Sequence, residues 1–158
     1  MNLTCHTITD EEGKQVCGWK YPDIYACYNQ PPFEELKEKK AMFCNPLRRK
    51  NYRAFYDGDL LVGFTNLMEQ EQEVFLGIGV HPDHCSKGYG TAIVELCCRI
   101  SEELYPGKPL YLEVRTWNKR AIRCYEKCGF VVDGEPFEQR TYSGIGTFYR
   151  MIRKLSLI

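Results

Sequence analysis

The feature that most constrains the fold of this chain is an apolar run, Val74 to Val80, that ends in a glycine-containing loop, His81 to Thr91. Apolar residues at helical spacing follow the loop: Ile93, Cys97, Ile100 and Leu104. That order predicts a strand, a tight loop and the start of a helix. Because glycine lets backbone N–H groups point outward at a helix N-terminus, such a loop is typical of an anion-binding site.

Length and composition predict one globular domain over residues 1–158. The chain has 158 residues and is 44% apolar, which is enough for a substantial core. Its 21 basic and 21 acidic residues balance, so neither a nucleic acid nor an anionic membrane is an expected partner. No run approaches ~18 apolar residues, so we expect no membrane span. Asp10, Glu11 and Glu12 interrupt the first 20 residues, so we expect no secretory signal.

Cysteine usage indicates a reducing compartment. The chain has nine cysteines, an odd number, and no two of them form a Cys-x-x-Cys pair. With no export signal expected, this pattern favours reduced thiols and a cytoplasmic location. Several of the cysteines lie among apolar neighbours, where the thiol packs as a small hydrophobic group.

Periodicity and turn signals predict an α/β chain. The first half is predicted to contain strand 2–8, a helix through Val16 capped by Thr9 or Asp10, helix 34–43, and strands 51–57, 60–66 and 73–80. The second half is predicted to contain helix 87–104, strand 110–115, helix 119–128, and strands 130–137 and 146–154. This order implies a mixed central sheet with helices on both faces.

Two linked motifs carry a family resemblance. The first is Val80-x-Pro82 followed by Lys87-Gly88-Tyr89-Gly90, and the second is Leu112-Glu113-Val114, Asn118, Ala121, Tyr125 and Gly129-Phe130. In this order and at this separation, the chain resembles the GCN5-related N-acetyltransferase (GNAT) superfamily from about Asp57 to Phe130. Members of that superfamily transfer an acyl group from coenzyme A to an amine.

The resemblance implies a GNAT-like mixed sheet and acetyl-CoA as the co-substrate. Six loop residues would hold the pyrophosphate: Ser86, Lys87, Gly88, Tyr89, Gly90 and Thr91. Ile78, Gly79 and Val80 would face the pantetheine arm, where the family's strand splays from the next one and leaves a slot for the thioester. Asn118 would cap the next helix and contact the coenzyme.

The chain departs from the family at the start of the loop. The family usually has Gln or Arg followed by Gly there, whereas this chain has Cys85 and Ser86. Because backbone donors make most of the anion contacts, we expect binding to survive with weaker support for the loop.

The resemblance also implies two catalytic side chains. Tyr125 would protonate the leaving thiolate, although a core tyrosine sharing a helix face with Ala121 and Cys128 is the alternative. Glu113 would accept a proton from the amine, as a glutamate does in the same Leu-Glu-Val-Arg context in family members that acetylate protein N-termini. For Glu113, the alternatives are an ion pair with Arg115 and a water as the base. Glu73, at the start of the preceding strand, is a weaker candidate for the base.

The predicted function is therefore acetyl transfer from acetyl-CoA to a primary amine, with a non-catalytic acyl-CoA-binding or sensing module as the alternative. The acceptor is a small molecule or a peptide that the sequence does not identify, and a homodimer is left open. His81, His84 and Cys85 carry metal-ligating atoms, but three such groups within five loop residues fit a metal poorly, so we expect none.

Overall fold

The computed structural model describes residues 1–154 of the chain. The described residues form four α-helices: α1 (Asp10–Gly18), α2 (Phe33–Lys39), α3 (Tyr89–Leu104) and α4 (Lys119–Lys127). They also form eight strands: β1 (Leu3–Thr7), β2 (Tyr52–Asp57), β3 (Leu60–Glu69), β4 (Val74–Val80), β5 (Leu110–Arg115), β6 (Val131–Val132), β7 (Phe137–Thr141) and β8 (Gly144–Arg153). None of the helices in this part of the chain is both long and apolar enough to cross a membrane.

The strands form one sheet in the order β1-β2-β3-β4-β5-β8-β6, and β7 also pairs with β8. Neighbours β4 and β5 pair in parallel, at Val74 with Leu110 and at Phe75 with Tyr111. A parallel pair requires a crossover connection, and here α3 supplies it. The pairs β1–β2, β2–β3, β5–β8, β6–β8 and β7–β8 are antiparallel. The predicted α/β class with a mixed sheet is therefore confirmed.

The chain divides into two compact units. The first comprises Met1–Asn66 and Ile78–Tyr89, and the second comprises Leu67–Gly77 and the described residues from Gly90 onward. The single domain expected for residues 1–158 remains a prediction, and its last four positions lie outside the described residues.

Aromatic side chains form much of the core of the first unit. Phe43 is fully buried, and its ring packs edge-on against Tyr52 at 5.6 Å and Phe64 at 6.4 Å. A capping box begins α1, because the Thr9 hydroxyl accepts from the Glu12 N–H and the Glu12 carboxylate accepts from the Thr9 N–H. Of the two predicted capping residues, Thr9 and Asp10, Thr9 is therefore the N-cap of α1.

The core of the second unit contains one face of α3 and alternate residues of β5. Ile93 and Cys97 of α3 are fully buried, whereas Leu104, predicted on the same face, is 51% exposed. Leu110, Leu112 and Val114 are buried, as the alternation of β5 predicts.

One predicted strand is wrong. Residues 130–137 do not form a continuous strand, because β6 ends at Val132 and β7 begins at Phe137. The segment between them contains Gly134 at φ +85° and Pro136, which has no N–H for a strand ladder. The chain therefore turns where the prediction continued the strand.

Candidate active site

The loop between β4 and α3 has the backbone geometry of an anion cradle. Ser86 and Gly88 have positive φ angles of +62° and +87°, and α3 begins directly afterwards at Tyr89. Since Lys87 between them does not share the positive φ, the backbone alternates in handedness. Such alternation turns successive N–H groups toward one side, and the first N–H groups of a helix have no acceptor within it.

The same loop is accessible to a ligand. Ser86, Lys87 and Gly88 are exposed, and a Cβ built on Gly88 would meet only the Met1 side chain, at 3.9 Å. The ammonium of Lys87 adds a positive charge to the backbone donors. The residues present therefore fit a pyrophosphate, the group that the resemblance assigns to this loop.

The end of β4 carries the three residues predicted to contact pantetheine. The carbonyl of Val80 accepts a hydrogen bond from the Tyr21 hydroxyl at 2.7 Å, so that oxygen already has a donor within the protein. A Cβ on Gly79 would lie 2.4 Å from the ring of Phe64, which explains the glycine by packing. Ile78 is half-buried. A role for these residues toward the coenzyme remains a prediction.

Glu113 on β5 has a neutral partner. Its carboxylate accepts a hydrogen bond from the Gln139 side chain at 3.3 Å. The guanidinium of Arg115 instead donates to the hydroxyls of Thr141 and Ser143 and lies 4.9 Å from the centre of the Phe148 ring. The Arg115 guanidinium is thus engaged by Thr141, Ser143 and Phe148, and the Glu113 carboxylate by the neutral amide of Gln139.

Glu73, the weaker candidate base, is paired. Both of its carboxylate oxygens accept from Arg150, at 3.0 and 2.6 Å. The guanidinium also donates to Asp133 and stacks 4.3 Å from the centre of the Tyr111 ring. The hydrogen bonds from Arg150 to Glu73 raise the pKa of the guanidinium further above its usual range. Glu73 is therefore a structural ion-pair partner.

Asn118 and Tyr125 lie at the two ends of α4. The side chain of Asn118 accepts from the N–H of Ala121 at 3.2 Å, which confirms the predicted N-cap, and Asn118 is 6% exposed. Tyr125 is half-buried, and its ring packs edge-on against Phe130 at 6.2 Å. A half-buried ring is compatible with either role predicted for it. Glu113, Asn118 and Tyr125 all belong to the second unit.

The residues of the possible soft-ligand cluster have structural contacts. His81 accepts from the Asp83 N–H through Nδ1, and its ring lies 4.9 Å from Trp19. Burial lowers the pKa of His81, so its imidazole is neutral at pH 7. No group of three or more His, Cys, Asp or Glu side chains in residues 1–154 is arranged to hold a metal ion.

Three contacts near the predicted site residues were not predicted from the sequence. They are the hydrogen bonds Tyr21–Val80, Gln139–Glu113 and Tyr89–Asp57. Each hydrogen bond joins residues at least 26 positions apart in the sequence, so no local sequence pattern predicts it. The dipeptide Asp57-Gly58 by itself indicates only a hairpin turn, which the chain forms there with Gly58 at φ +61°.

Comparison with known proteins identifies the family. The chain belongs to the acetyltransferase (GNAT) family, whose family model matches residues 14–130, and it is an N-acetyltransferase. A spermidine N(1)-acetyltransferase of Vibrio cholerae is 24% identical over 128 residues, which are 77% of this chain and 74% of that protein. An N-alpha-acetyltransferase of Sulfurisphaera tokodaii is 32% identical over 109 residues, which are 61% of this chain and 60% of that protein.

A solved structure shares the fold. The crystal structure of spermidine N-acetyltransferase from Vibrio cholerae in complex with CoA and spermine superposes with a TM-score of 0.77 at 22% identity. The match covers 95% of this chain and 94% of that one. The GNAT fold is therefore confirmed over nearly the whole chain.

Proposed function

We propose that the protein transfers an acetyl group from acetyl-CoA to a primary amine by direct attack of the amine on the thioester. The observation that carries this proposal is the exposed loop Ser86–Gly88, with its alternating backbone handedness at the start of α3. Within a family of N-acetyltransferases, this loop supports a site for the coenzyme's pyrophosphate.

The proposed chemistry moves protons at the amine nitrogen and at the thioester sulfur. Glu113, or a water, accepts a proton from the substrate ammonium, because only the neutral amine has a lone pair for attack. The C–N bond forms as the C–S bond breaks, and the Tyr125 hydroxyl donates a proton to the departing sulfur. The attacking nitrogen loses its second proton as the amide forms, and that proton, relayed through solvent, returns Tyr125 to its phenol form. The products are an N-acetylated amine and CoA as a thiol.

The support for Glu113 as the base comes from its surroundings. Its hydrogen-bond partner Gln139 is neutral, whereas both oxygens of Glu73 are held by Arg150. Because both carboxylate oxygens of Glu73 already accept from one guanidinium, this carboxylate is less free to take a proton from a substrate. Of the two glutamates, Glu113 is therefore the one suited to accept a proton.

The acceptor class we infer is an aliphatic primary amine. One relative is named for N(1) of spermidine and the other for an α-amino nitrogen, and both names point to an aliphatic primary amine. We also infer a reducing location such as the cytoplasm, because all nine cysteines are thiols rather than disulfides.

An acceptor panel followed by release of the CoA thiol tests the function. The panel contains spermidine, free amino acids and short peptides with an unblocked N-terminus, each with acetyl-CoA. We expect thiol release well above hydrolysis with at least one of these amines, and mass spectrometry should show one acetyl group on its nitrogen. Tight binding of CoA by calorimetry together with background release for every amine would instead support the sensing module.

A further inference from the structure

Tyr89 connects the pyrophosphate loop to a distant hairpin. Its hydroxyl donates a hydrogen bond of 2.7 Å to Oδ2 of Asp57, which is the last residue of β2. The other carboxylate oxygen of Asp57 accepts from the N–H of Asn2 at 2.9 Å. Asp57 therefore joins the start of β1, the β2–β3 turn and the first residue of α3.

The ring of Tyr89 has a second contact on the loop itself. It lies edge-on to the ring of His84 at 6.2 Å, and His84 ends the short 3₁₀ helix that precedes Ser86. Cys85 to Gly88 lie between His84 and Tyr89 in the sequence. The ring contact therefore joins the residue before this segment to the residue after it. Ser86, Lys87 and Gly88 are themselves exposed, so burial does little to fix their conformation.

The electrostatics of the contact favour a phenol that donates to a carboxylate. The hydrogen bond to Asp57 raises the pKa of Tyr89, and the hydrogen bonds from Asn2 and Tyr89 lower the pKa of Asp57. At neutral pH the donor therefore keeps its proton and the acceptor keeps its charge. Such charge-assisted hydrogen bonds are stronger than neutral ones.

We propose that the hydrogen bond between Tyr89 and Asp57 holds the loop Ser86–Gly88 in the conformation that binds the pyrophosphate of CoA. The inference rests on the proposed function and adds Asp57 and the Tyr89 hydroxyl to it as positioning groups. Tyr89 directly follows Gly88 and begins α3, so fixing its side chain fixes the direction of the first helical N–H groups. This contact offsets the weaker support that Cys85 and Ser86 were expected to give the start of the loop.

The variant Tyr89→Phe removes the hydroxyl and keeps the ring against His84. We expect the KM for acetyl-CoA to rise roughly three- to tenfold, the range that corresponds to losing one hydrogen bond, with kcat nearly unchanged. Tyr105→Phe, at a half-buried tyrosine beyond the end of α3, is the matched control and should leave both constants unchanged.

A truncated donor separates loop positioning from general stability. S-acetylpantetheine carries the thioester but no pyrophosphate, so its kcat/KM should be the same in Tyr89→Phe and in the parent. An equal loss of activity with both donors would mean that the hydrogen bond stabilises the fold, and that result would overturn the proposal. An unchanged KM for acetyl-CoA would overturn it as well.

Substitutions of Asp57 give an independent measurement should Tyr89→Phe fold poorly. Asp57→Asn keeps an oxygen acceptor, so it should raise the KM for acetyl-CoA less than Asp57→Ala does. In the double variant of Asp57→Ala and Tyr89→Phe, the effects should be clearly less than additive, because both remove the same contact. Full additivity would contradict the proposed coupling.

The same measurements distinguish an error in the proposed function from an error in the role given to the Tyr89–Asp57 hydrogen bond. If Gly88→Val leaves the KM for acetyl-CoA unchanged, the pyrophosphate is not bound by this loop and the proposed function loses its support. If Gly88→Val impairs acetyl-CoA while Tyr89→Phe and Asp57→Ala do not, the loop assignment stands and only the role of the hydrogen bond is overturned.

Discussion

The two candidate bases, Glu113 and Glu73, differ in the charge of their partners. Gln139 donates to Glu113 without neutralising it, whereas Arg150 forms a bidentate ion pair with Glu73. At the scale of single residues, this difference predicts different effects when glutamine replaces Glu113 and when it replaces Glu73. Replacing glutamate by glutamine keeps the shape of the side chain and removes its charge.

Glu113→Gln should lower kcat by about a hundredfold or more if the carboxylate is the general base, with CoA affinity unchanged. Steady-state kinetics of the parent and the variant measure this difference. Glu73→Gln is the control. Because it breaks the ion pair with Arg150, its main effect should be a lower melting temperature, with only a small effect on kcat. An unchanged kcat in Glu113→Gln would make Glu113 structural, with a water as the base.

Tyr125→Phe tests the proposed acid. The ring contact with Phe130 survives this change, so the fold and the affinity for CoA should be retained. Loss of the proton donor should reduce turnover by roughly 10²–10⁴-fold at saturating substrates. Turnover equal to that of the parent would remove Tyr125 from the mechanism and leave it as a packing residue.

At the scale of elements, α4 depends on Asn118 for its start. Asn118→Ala should destabilise the protein by about 1 kcal/mol in a urea titration, because the N–H of Ala121 loses its acceptor. Asn118→Ser restores a good N-cap and should recover most of that stability. If Asn118 also contacts the coenzyme, the serine variant should still bind CoA more weakly than the parent. Full recovery of both properties would limit Asn118 to capping.

Local signals were sufficient where one or two residues determine an element boundary. Thr9 and Glu12 form the capping box that begins α1, and Gly129, at φ +91°, follows the end of α4 as predicted. The predicted helix 34–43 was wrong at its end, because Lys40 adopts φ +50° and the chain continues into a 3₁₀ turn, Met42–Cys44. That turn buries Phe43 completely, so tertiary packing outweighs the helical pattern there.

The candidate site also contains some features that local sequence signals predict and others that depend on contacts between distant segments. The positions of Glu113, Asn118 and Tyr125 on β5 and α4 were predictable, because short motifs place them. The partners Gln139 and Asp57 were not, since each meets its site residue through pairing of distant segments. The positive φ of Ser86 was not predictable either, because serine carries no strong preference for that region.

At the scale of the whole molecule, the nine thiols should differ in reactivity. Burial raises the pKa of Cys128 to about 12 and that of Cys17 to about 11, so both are protonated and unreactive at pH 8. Iodoacetamide treatment of the native protein, read by mass spectrometry, should modify the half-buried cysteines first: Cys5, Cys27, Cys44, Cys85 and Cys124. Cys128 reacting as fast as Cys85 would contradict the packing described for it.

Binding of CoA to the loop Ser86–Gly88 is the claim on which the function most depends. The most direct measurement is calorimetry of CoA with the parent and Gly88→Val, because a β-branched residue at φ +87° is strained and adds bulk to the exposed backbone. Gly107→Val is the matched control, since Gly107 has φ +86° in the turn after α3 with open space around it. We predict that Gly88→Val weakens CoA binding by about tenfold to a hundredfold and that Gly107→Val leaves it unchanged. CoA binding by Gly88→Val as tight as that of the parent would place the coenzyme elsewhere.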